Sequence, residues 1–407
     1  MNASNSRETI IYVTREIERA LGVTPSAHYR IVSNRTPYGE TMRELHPEWV
    51  TLIDSTDSEA LGTGDLLDHP DTSALVAGMT ERPYILVFKN TARIEPIARS
   101  HGFTLVNPPA TASEKIENKI SQISWLGELG RHLPPHRIEL TKNIKWSGTP
   151  FIVQWAHGHT GGGTILITSE AELASLKEKF PERRSRVTGF IDGPSFTLNV
   201  VATPDRIIPS SVSYQITGLK PFTESPFSTI GNDWALAGKM LTATDKKWIK
   251  DLTDEIGAKM QKDMWRGLFG IDMIRDDATG KMCLIEINAR QPASTTFESF
   301  LQESMRASGA SGMTTFEAHI EALMGRPVMK PIIPLTDGAQ IVQRVTKIIH
   351  SVDEDVAGSL SLAGFRSLSY PNTEDNADLL RIQSMKGIMS AHNVFNDTGK
   401  QIIEELS

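Results

Sequence analysis

Two acids and an amide, Asp272, Glu286 and Asn288, stand in a part of the chain otherwise apolar enough to be buried. Residues 268–275 and 281–288 have strand composition, and Asp276, Asp277, Thr279 and Gly280 between them are turn formers, which predicts a β-hairpin. With the turn centred on Thr279, Asp272 falls opposite Glu286, their Cβ atoms on the order of 5 Å apart. Alternation puts Asn288 on the face of Glu286, and Cys283, Ile285 and Ile287 on the other. Like charges that close repel, and buried charges need partners. Two carboxylates and a carboxamide oxygen form the hard, incomplete ligand set that Mg²⁺ uses when nucleotide phosphates complete the shell. A surface hairpin with solvated acids is the competing reading, and it leaves the apolar flanks unexplained.

Such a site needs elements that bring phosphates to it. Residues 151–156 and 164–168 read as two strands joined by Gly158, His159, Thr160, Gly161, Gly162 and Gly163. Four glycines in six residues exceed what a reversal needs, and successive exposed N–H groups suit phosphate oxygens. No Gly-Lys-Ser/Thr follows, so the segment is not a P-loop. His157 and His159 lack a nearby third ligand and read as loop residues. Upstream, a helix is expected over 113–130 with Lys119 at its middle, an ordinary solvated lysine when taken alone. Ser169 and Glu172 open a capped helix over 170–180. Arg183, Arg184 and Arg186 form a basic lead into a strand over 187–191, and a strand over 196–201 has one polar and one apolar face. Residues 210–238, rich in Pro, Gly, Ser and Thr yet carrying Tyr214, Phe222, Phe227 and Trp234, read as a long loop forming a lid or substrate wall. An amphipathic helix over 246–265 delivers the chain to the hairpin.

The first hundred residues alternate short apolar runs, at 10–13, 29–33, 50–54 and 84–88, with helical patterns, as in an α/β layer with parallel strands. The first strand enters residues 15–21 with no glycine at the junction, so the layer is a scaffold without a dinucleotide site. Beyond residue 302 a helix is expected over 315–324 and a strand over 340–349. Residues 354–388 mix short strands with turns; Arg344, Arg381 and Lys386 could reach a substrate carboxylate, but as isolated basic residues they are expected to be solvated. The net charge of −7 offers no basic field to a nucleic acid. No apolar run approaches the ~20 residues of a membrane span, and the polar first residues lack a signal-peptide core, so a cytoplasmic protein is expected. One cysteine, Cys283, excludes an internal disulfide and is expected to be a buried small hydrophobe.

The order of these parts resembles the ATP-grasp superfamily over roughly residues 112–296, most strongly at FGIDMIRDDATGKMCLIEINAR. The resemblance implies an α/β fold: a Rossmann-like pre-grasp domain at 1–110, a small grasp subdomain with the Gly-rich loop at 111–190, a large subdomain with the metal site at 191–310, and an α+β region at 311–407. It places the metal set on Asp272, Glu286 and Asn288, the phosphate-covering loop on Gly161, Gly162, Gly163 and Thr164, and the helix lysine on Lys119 in ENKISQISWLGELG. Adenine would meet the backbone of Gly189, Phe190 and Ile191, and Arg290 resembles the arginine that steadies a carboxylate or acyl phosphate. Two positions depart from the family pattern. Gln154 stands where many members have a cationic phosphate contact, and Thr188 where a carboxylate is common on the linking strand.

The resemblance thus implies ATP and Mg²⁺, with Mn²⁺ as a substitute, and small carboxylate and amine substrates joined through an acyl phosphate. A bicarbonate-activating carboxylase or carbamoyl-phosphate type is the second reading. An ATP-binding protein without turnover, motivated by Gln154 and Thr188, is the third. No nucleic acid or membrane partner is expected, and the oligomeric state stays open, a homodimer included.

Overall fold

The computed structural model describes residues 8–55, 60–156 and 163–406. Its first sheet is wholly parallel, in the order Val50–Ile53, Tyr29–Asn34, Ile10–Thr14, Tyr84–Val87, Thr104–Leu105. These strands are near-continuous apolar runs because both faces are covered. Ile11, Val13, Val32 and Ile85 pack toward Leu66, Leu67 and Ile94 on one side. On the other, Tyr12, Tyr29 and Ile31 pack against Phe316 of the helix Thr315–Leu323, far along the chain. Phe316 lies parallel to the ring of Tyr12 with centroids 6.2 Å apart, so the N-terminal layer is completed by a late helix.

The single helix expected over 113–130 is two, Ala110–Glu117 and Ser121–Leu126, and Lys119 sits in the break. Asn118 is the physical cause. Its Oδ1 accepts from the N–H groups of Ile120 and Ser121 (3.0 and 3.3 Å), offering the backbone an alternative to the helical ladder. The Lys119 N–H turns away to the carbonyl of Ala156 at 3.1 Å.

A four-stranded antiparallel sheet follows, ordered His136–Leu140, Arg184–Gly189, Phe151–Trp155, Thr164–Ile167. The expected helix, Glu170–Lys179, buries Leu173 and Leu176 against Phe151, Val153, Ile167 and Val187 on one face. Alternation leaves Gln154, Thr164, Arg186 and Thr188 on the opposite face.

The largest sheet has nine strands. Eight run in the order Met282–Asn288, Gly267–Arg275, Ser195–Ala202, Ser213–Thr217, Thr229–Asp233, Ala339–Arg344, Asp378–Ser384, Arg366–Ser369, with Ile207–Pro209 paired beside Ser195–Ala202. Ile249, Leu252, Ile256 and Met260, the apolar stripe of Ala243–Lys262, pack on its covered face. The expected long loop at 210–238 holds two of these strands and the helix Trp234–Met240. Tyr214, Phe222 and Trp234 are core residues with no more than 2 % exposure, whereas Phe227, with Gln215 and Asn232, lines the cavity between the antiparallel sheets, as expected of a wall. Five-residue strands set between Pro- and Gly-rich turns carry too short a period to stand out. Among the described residues no helix is long and apolar enough to cross a membrane.

Candidate active site

One cavity is lined from the open faces of both antiparallel sheets. Hairpin strands Gly267–Arg275 and Met282–Asn288 put Asp272 directly opposite Glu286, as the turn chemistry predicts. Next to this pair the register slips: Met273 faces Leu284 and Ile274 faces Cys283, so Ile285 is the extra residue of a β-bulge. Leu284 and Ile287 therefore both point into the core, while Ile285 and Glu286 both line the cavity. Simple alternation put Ile285 and Cys283 with Ile287; the bulge separates them, and Cys283 is half-buried instead of enclosed.

Asp272 accepts from the Thr197 hydroxyl (2.5 Å) and the Gln215 amide (2.9 Å) at Oδ1, and from the Asn288 amide (2.9 Å) at Oδ2. Burial, reinforced by the facing Glu286, pushes its carboxyl up to about 6 despite these donors. Burial pushes Glu286 the same way, but the Lys119 ammonium 2.6 Å away and the Arg186 guanidinium outweigh it and hold Glu286 below the usual carboxylate range. The break in the helix thus delivers Lys119, 8 % exposed, onto one of the two acids.

Gln154 is not a simple loss of charge. Its cross-strand partner is Arg186, whose Nε and Nη2 donate to Gln154 Oε1 at 2.9 and 2.5 Å. Arg186 also donates to the carbonyl of Ile285 at 3.2 Å, and Gln154 donates to Thr164 Oγ1 at 3.2 Å. Arg186 is 2 % exposed, its Nη1 has no partner, and burial pulls its guanidinium down to about 10. A positive charge therefore stands one strand away from where the family pattern places it. Starting the strand at 187 hid this; Arg186 and Thr188 alternate onto one face of Arg184–Gly189.

Arg290 donates to Glu117 Oε1 at 2.6 Å, and Lys89 pairs with the same carboxylate. Gly189, Phe190 and Ile191 line the cavity, as do Thr164 and Thr188. Gly163 adopts φ 88°, a left-handed conformation suited to glycine, and its carbonyl accepts from the Trp155 N–H at 3.1 Å. Gly161 and Gly162, with His157 and His159, lie outside the described residues.

Three further arginines reach the same cavity. Arg344 and Arg381, read from sequence as solvated, are 5 % and 6 % exposed and share the carboxylate of Asp378 at 2.9 and 3.1 Å. Arg19 joins them from the N-terminal layer. Lys386 is exposed and is not among the lining residues. No local pattern announces these arginines, because the fold draws them from opposite ends of the chain.

The acids fit a divalent cation only in part, in the way the chemistry requires. Among the described residues no three His, Cys, Asp or Glu side chains converge on one point. Asp272, Glu286 and the Asn288 carbonyl would supply about half of an octahedral shell, leaving the rest to phosphate and water oxygens.

The comparisons with known proteins agree with this geometry. No curated protein gives a significant sequence match. Among solved structures the chain resembles an N5-carboxyaminoimidazole synthetase from Staphylococcus aureus complexed with ADP, with a TM-score of 0.66 at 14% identity over 99% of this chain and 97% of that one. An Aspergillus clavatus N5-carboxyaminoimidazole synthase, solved with ADP and 5-aminoimidazole ribonucleotide, matches with a TM-score of 0.64 at 13% identity over 98% of each chain. Rhizobium etli pyruvate carboxylase matches with a TM-score of 0.62 at 14% identity over 93% of this chain and 36% of that one. At such identities the likeness is one of fold. The family described as ATP-grasp domain matches residues 116–294, the span that holds Lys119, Arg186, the acid hairpin and Arg290. Residues 116–294 thus match the ATP-grasp domain family, and the chain as a whole shares the fold of these structures.

Proposed function

We propose that this protein is an ATP-dependent ligase that phosphorylates a carboxylate and passes the acyl group to an amine, releasing ADP and phosphate. The observation that carries the reading is the facing pair Asp272 and Glu286, set with Asn288 against Lys119 and Arg186 in one cavity between two sheets. On this reading the domains run 1–110, 111–190, 191–310 and 311–407, and the nucleotide lies between the sheets with its base toward Gly189, Phe190 and Ile191. Asp272, Glu286 and Asn288 would hold Mg²⁺, which would supply charge neutralisation to the nucleotide's phosphates. Lys119 and Arg186 give up their present acceptors, Glu286 and Gln154, to phosphate oxygens. Gly163 and Thr164, with Gly161 and Gly162 beside them, would cover the phosphates and exclude water.

The bonds follow in order. A substrate carboxylate oxygen attacks the γ-phosphorus as the bond to the ADP oxygen breaks. The amine then attacks the acyl carbon as phosphate leaves with the bonding electron pair. Arg290 orients the carboxylate and stabilises the tetrahedral oxyanion. No His, Cys or Tyr is among the lining residues described, so the amine proton passes to a phosphate oxygen or to solvent.

A second reading, bicarbonate as the activated carboxylate, draws support from the names of the structural neighbours, two carboxyaminoimidazole-forming enzymes and a carboxylase. The third, a binder without turnover, rests on Gln154 and Thr188 and loses ground at the first, where Arg186 supplies a charge beside Gln154. Purified protein with Mg²⁺ and ATP should release ADP and phosphate when given pools of amino acids and small peptides, and hydroxylamine should trap a hydroxamate. Release stimulated by bicarbonate instead selects the second reading. Tight ATP binding with no release in any pool selects the third.

A further inference from the structure

The charges lining the cavity do not balance, and the excess lies at the end away from the acid hairpin. Six cations line it, Arg19, Lys119, Arg186, Arg290, Arg344 and Arg381, against three acids, Asp272, Glu286 and Asp378. Lys119 and Arg186 with the two hairpin acids suit a metal-bound triphosphate, and Arg290 the reacting carboxylate. Arg19, Arg344 and Arg381 face Asp378 alone among the lining acids. Arg19 also pairs with Glu16 at 3.0 Å on its outer side. Glu18, behind the cluster, accepts from the Tyr370 hydroxyl at 2.5 Å, and that hydroxyl accepts from Arg381 Nε at 3.0 Å. Burial, with Glu16 beside it, raises the Glu18 carboxyl and so disfavours its charge. Arg344 Nε and Arg19 Nη1 are buried without hydrogen-bond partners. Unpaired guanidinium donors held dry cost stability unless an acceptor arrives.

From this we propose that Arg344 and Arg381, with Arg19 opposite, form a subsite for an oxyanion, a carboxylate or phosphate, carried by the second substrate at a distance from its reacting atom. The inference rests on the ligase reading only in making that ligand a substrate. Distance follows from the sheet. Arg344 and Asp378 stand four to five strands along from Asp272, roughly 20 Å measured along the sheet at about 4.8 Å per strand. A substrate as small as bicarbonate cannot touch both ends. Between them Gln215, Asn232 and Gln340 lie side by side on three neighbouring strands and line the cavity. Their carboxamides offer donors and acceptors to the uncharged polar middle of an extended molecule. Paired guanidinium forks bind carboxylate and phosphate bidentately, which a single lysine does not.

The test is calorimetric titration of the whole protein, saturated with Mg·ADP to block the hairpin end, with glycerol 3-phosphate, glutarate and the neutral glutaramide. At least one oxyanion should bind and glutaramide should not; preference for the phosphate ester or the dicarboxylate identifies the source. R344M and R381M should each raise the dissociation constant at least tenfold. D378N, which frees both guanidinium groups, should lower it at least threefold, a sign that a purely structural role for the cluster does not produce. R344K, keeping charge without the fork, covers the case in which R344M fails to fold, and should weaken binding severalfold. Equal binding of glutaramide, no binding of either oxyanion, or weaker binding by folded D378N overturns the proposal. A protein that refuses Mg·ADP yet holds an oxyanion through Arg344 and Arg381 keeps this subsite and sinks the ligase reading instead.

Discussion

At the hairpin end of the cavity, cations are parked on acceptors they can leave: Lys119 on Glu286, Arg186 on Gln154, Arg290 on Glu117. At the far end Arg344 and Arg381 are tied to one shared carboxylate, Asp378, and Arg344 Nε and Arg19 Nη1 have no partner, against Arg186 Nη1 at the hairpin end. The first arrangement exchanges partners when a ligand arrives, whereas the second waits for an acceptor that is missing from the protein. Phe88 connects them physically, with Arg19 over its ring at 4.7 Å and Arg290 at 5.9 Å. So does Gln291, one residue past Arg290. It accepts from the Tyr12 hydroxyl (2.8 Å) and donates to the Arg19 carbonyl (2.8 Å), fixing the segment after the hairpin to the N-terminal layer.

If the two ends are separate in function, variants should divide them cleanly. The largest effect is expected from D272N combined with E286Q, which should lower ATP-dependent ADP release by about 10³-fold or more, several kcal/mol of charge stabilisation. Its melting temperature should fall, since E286Q leaves the buried Lys119 ammonium without its carboxylate, which outweighs relief of the repelling acids. Unchanged turnover would end the metal assignment. Next comes R186M, which removes a charged hydrogen-bond donor from the phosphates and should weaken Mg·ADP about 10- to 100-fold by calorimetry. R381M should leave that affinity within about twofold, and equal losses in both would erase the distinction between the ends.

A third difference lies in pH. Asp272 sits at about 6, raised by burial and by Glu286. Its ionised form binds the cation, so below pH 6 protons compete and Mg·ADP affinity should fall by up to about tenfold per pH unit. The same raised carboxyl makes the ligand-free protein gain stability from this group as pH falls through 6, because the folded state then binds the proton before the unfolded state does. The far end is built on guanidinium groups, and its oxyanion affinity should stay flat between about pH 6 and 8. Parallel pH profiles for the two titrations would contradict the assignment. The smallest effect is expected from I285A. It trims a side chain lining the cavity but keeps the carbonyl that receives Arg186, so Mg·ADP affinity should change by no more than about twofold.

The hairpin end was readable in sequence because its acids lie within one turn's reach, where strand alternation and turn chemistry set the register, and Asp272 does pair with Glu286. What failed there was local. Asn118 broke a helix whose apolar period looked continuous, and a bulge at Ile285 moved Cys283 off its predicted face. Arg186 lies one residue before the expected strand start, so the alternation that puts it on the face of Thr188 was not carried back to it. The far end had no such handle. Arg19 follows the first strand, Arg344 ends a strand of the large sheet and Arg381 sits on its neighbour, and only tertiary pairing brings them together. Residues 210–238 do wall the cavity through Gln215, Phe227 and Asn232, but as Ser213–Thr217 and Thr229–Asp233 paired with each other and with Ala339–Arg344 rather than as a loop, and short strands between turns show little of that pairing in sequence.

The bulge at Ile285 also sets a rule for how this chain can change. Its contribution to the site is a main-chain carbonyl aimed at Arg186 across the cleft, and any residue carries one. The side chain at 285 is therefore open to exchange, while the number of residues between Leu284 and Glu286 is not. A deletion there would straighten the strand, withdraw the carbonyl and release Arg186 from the nine-stranded sheet, though every other cavity-lining side chain stayed as it is.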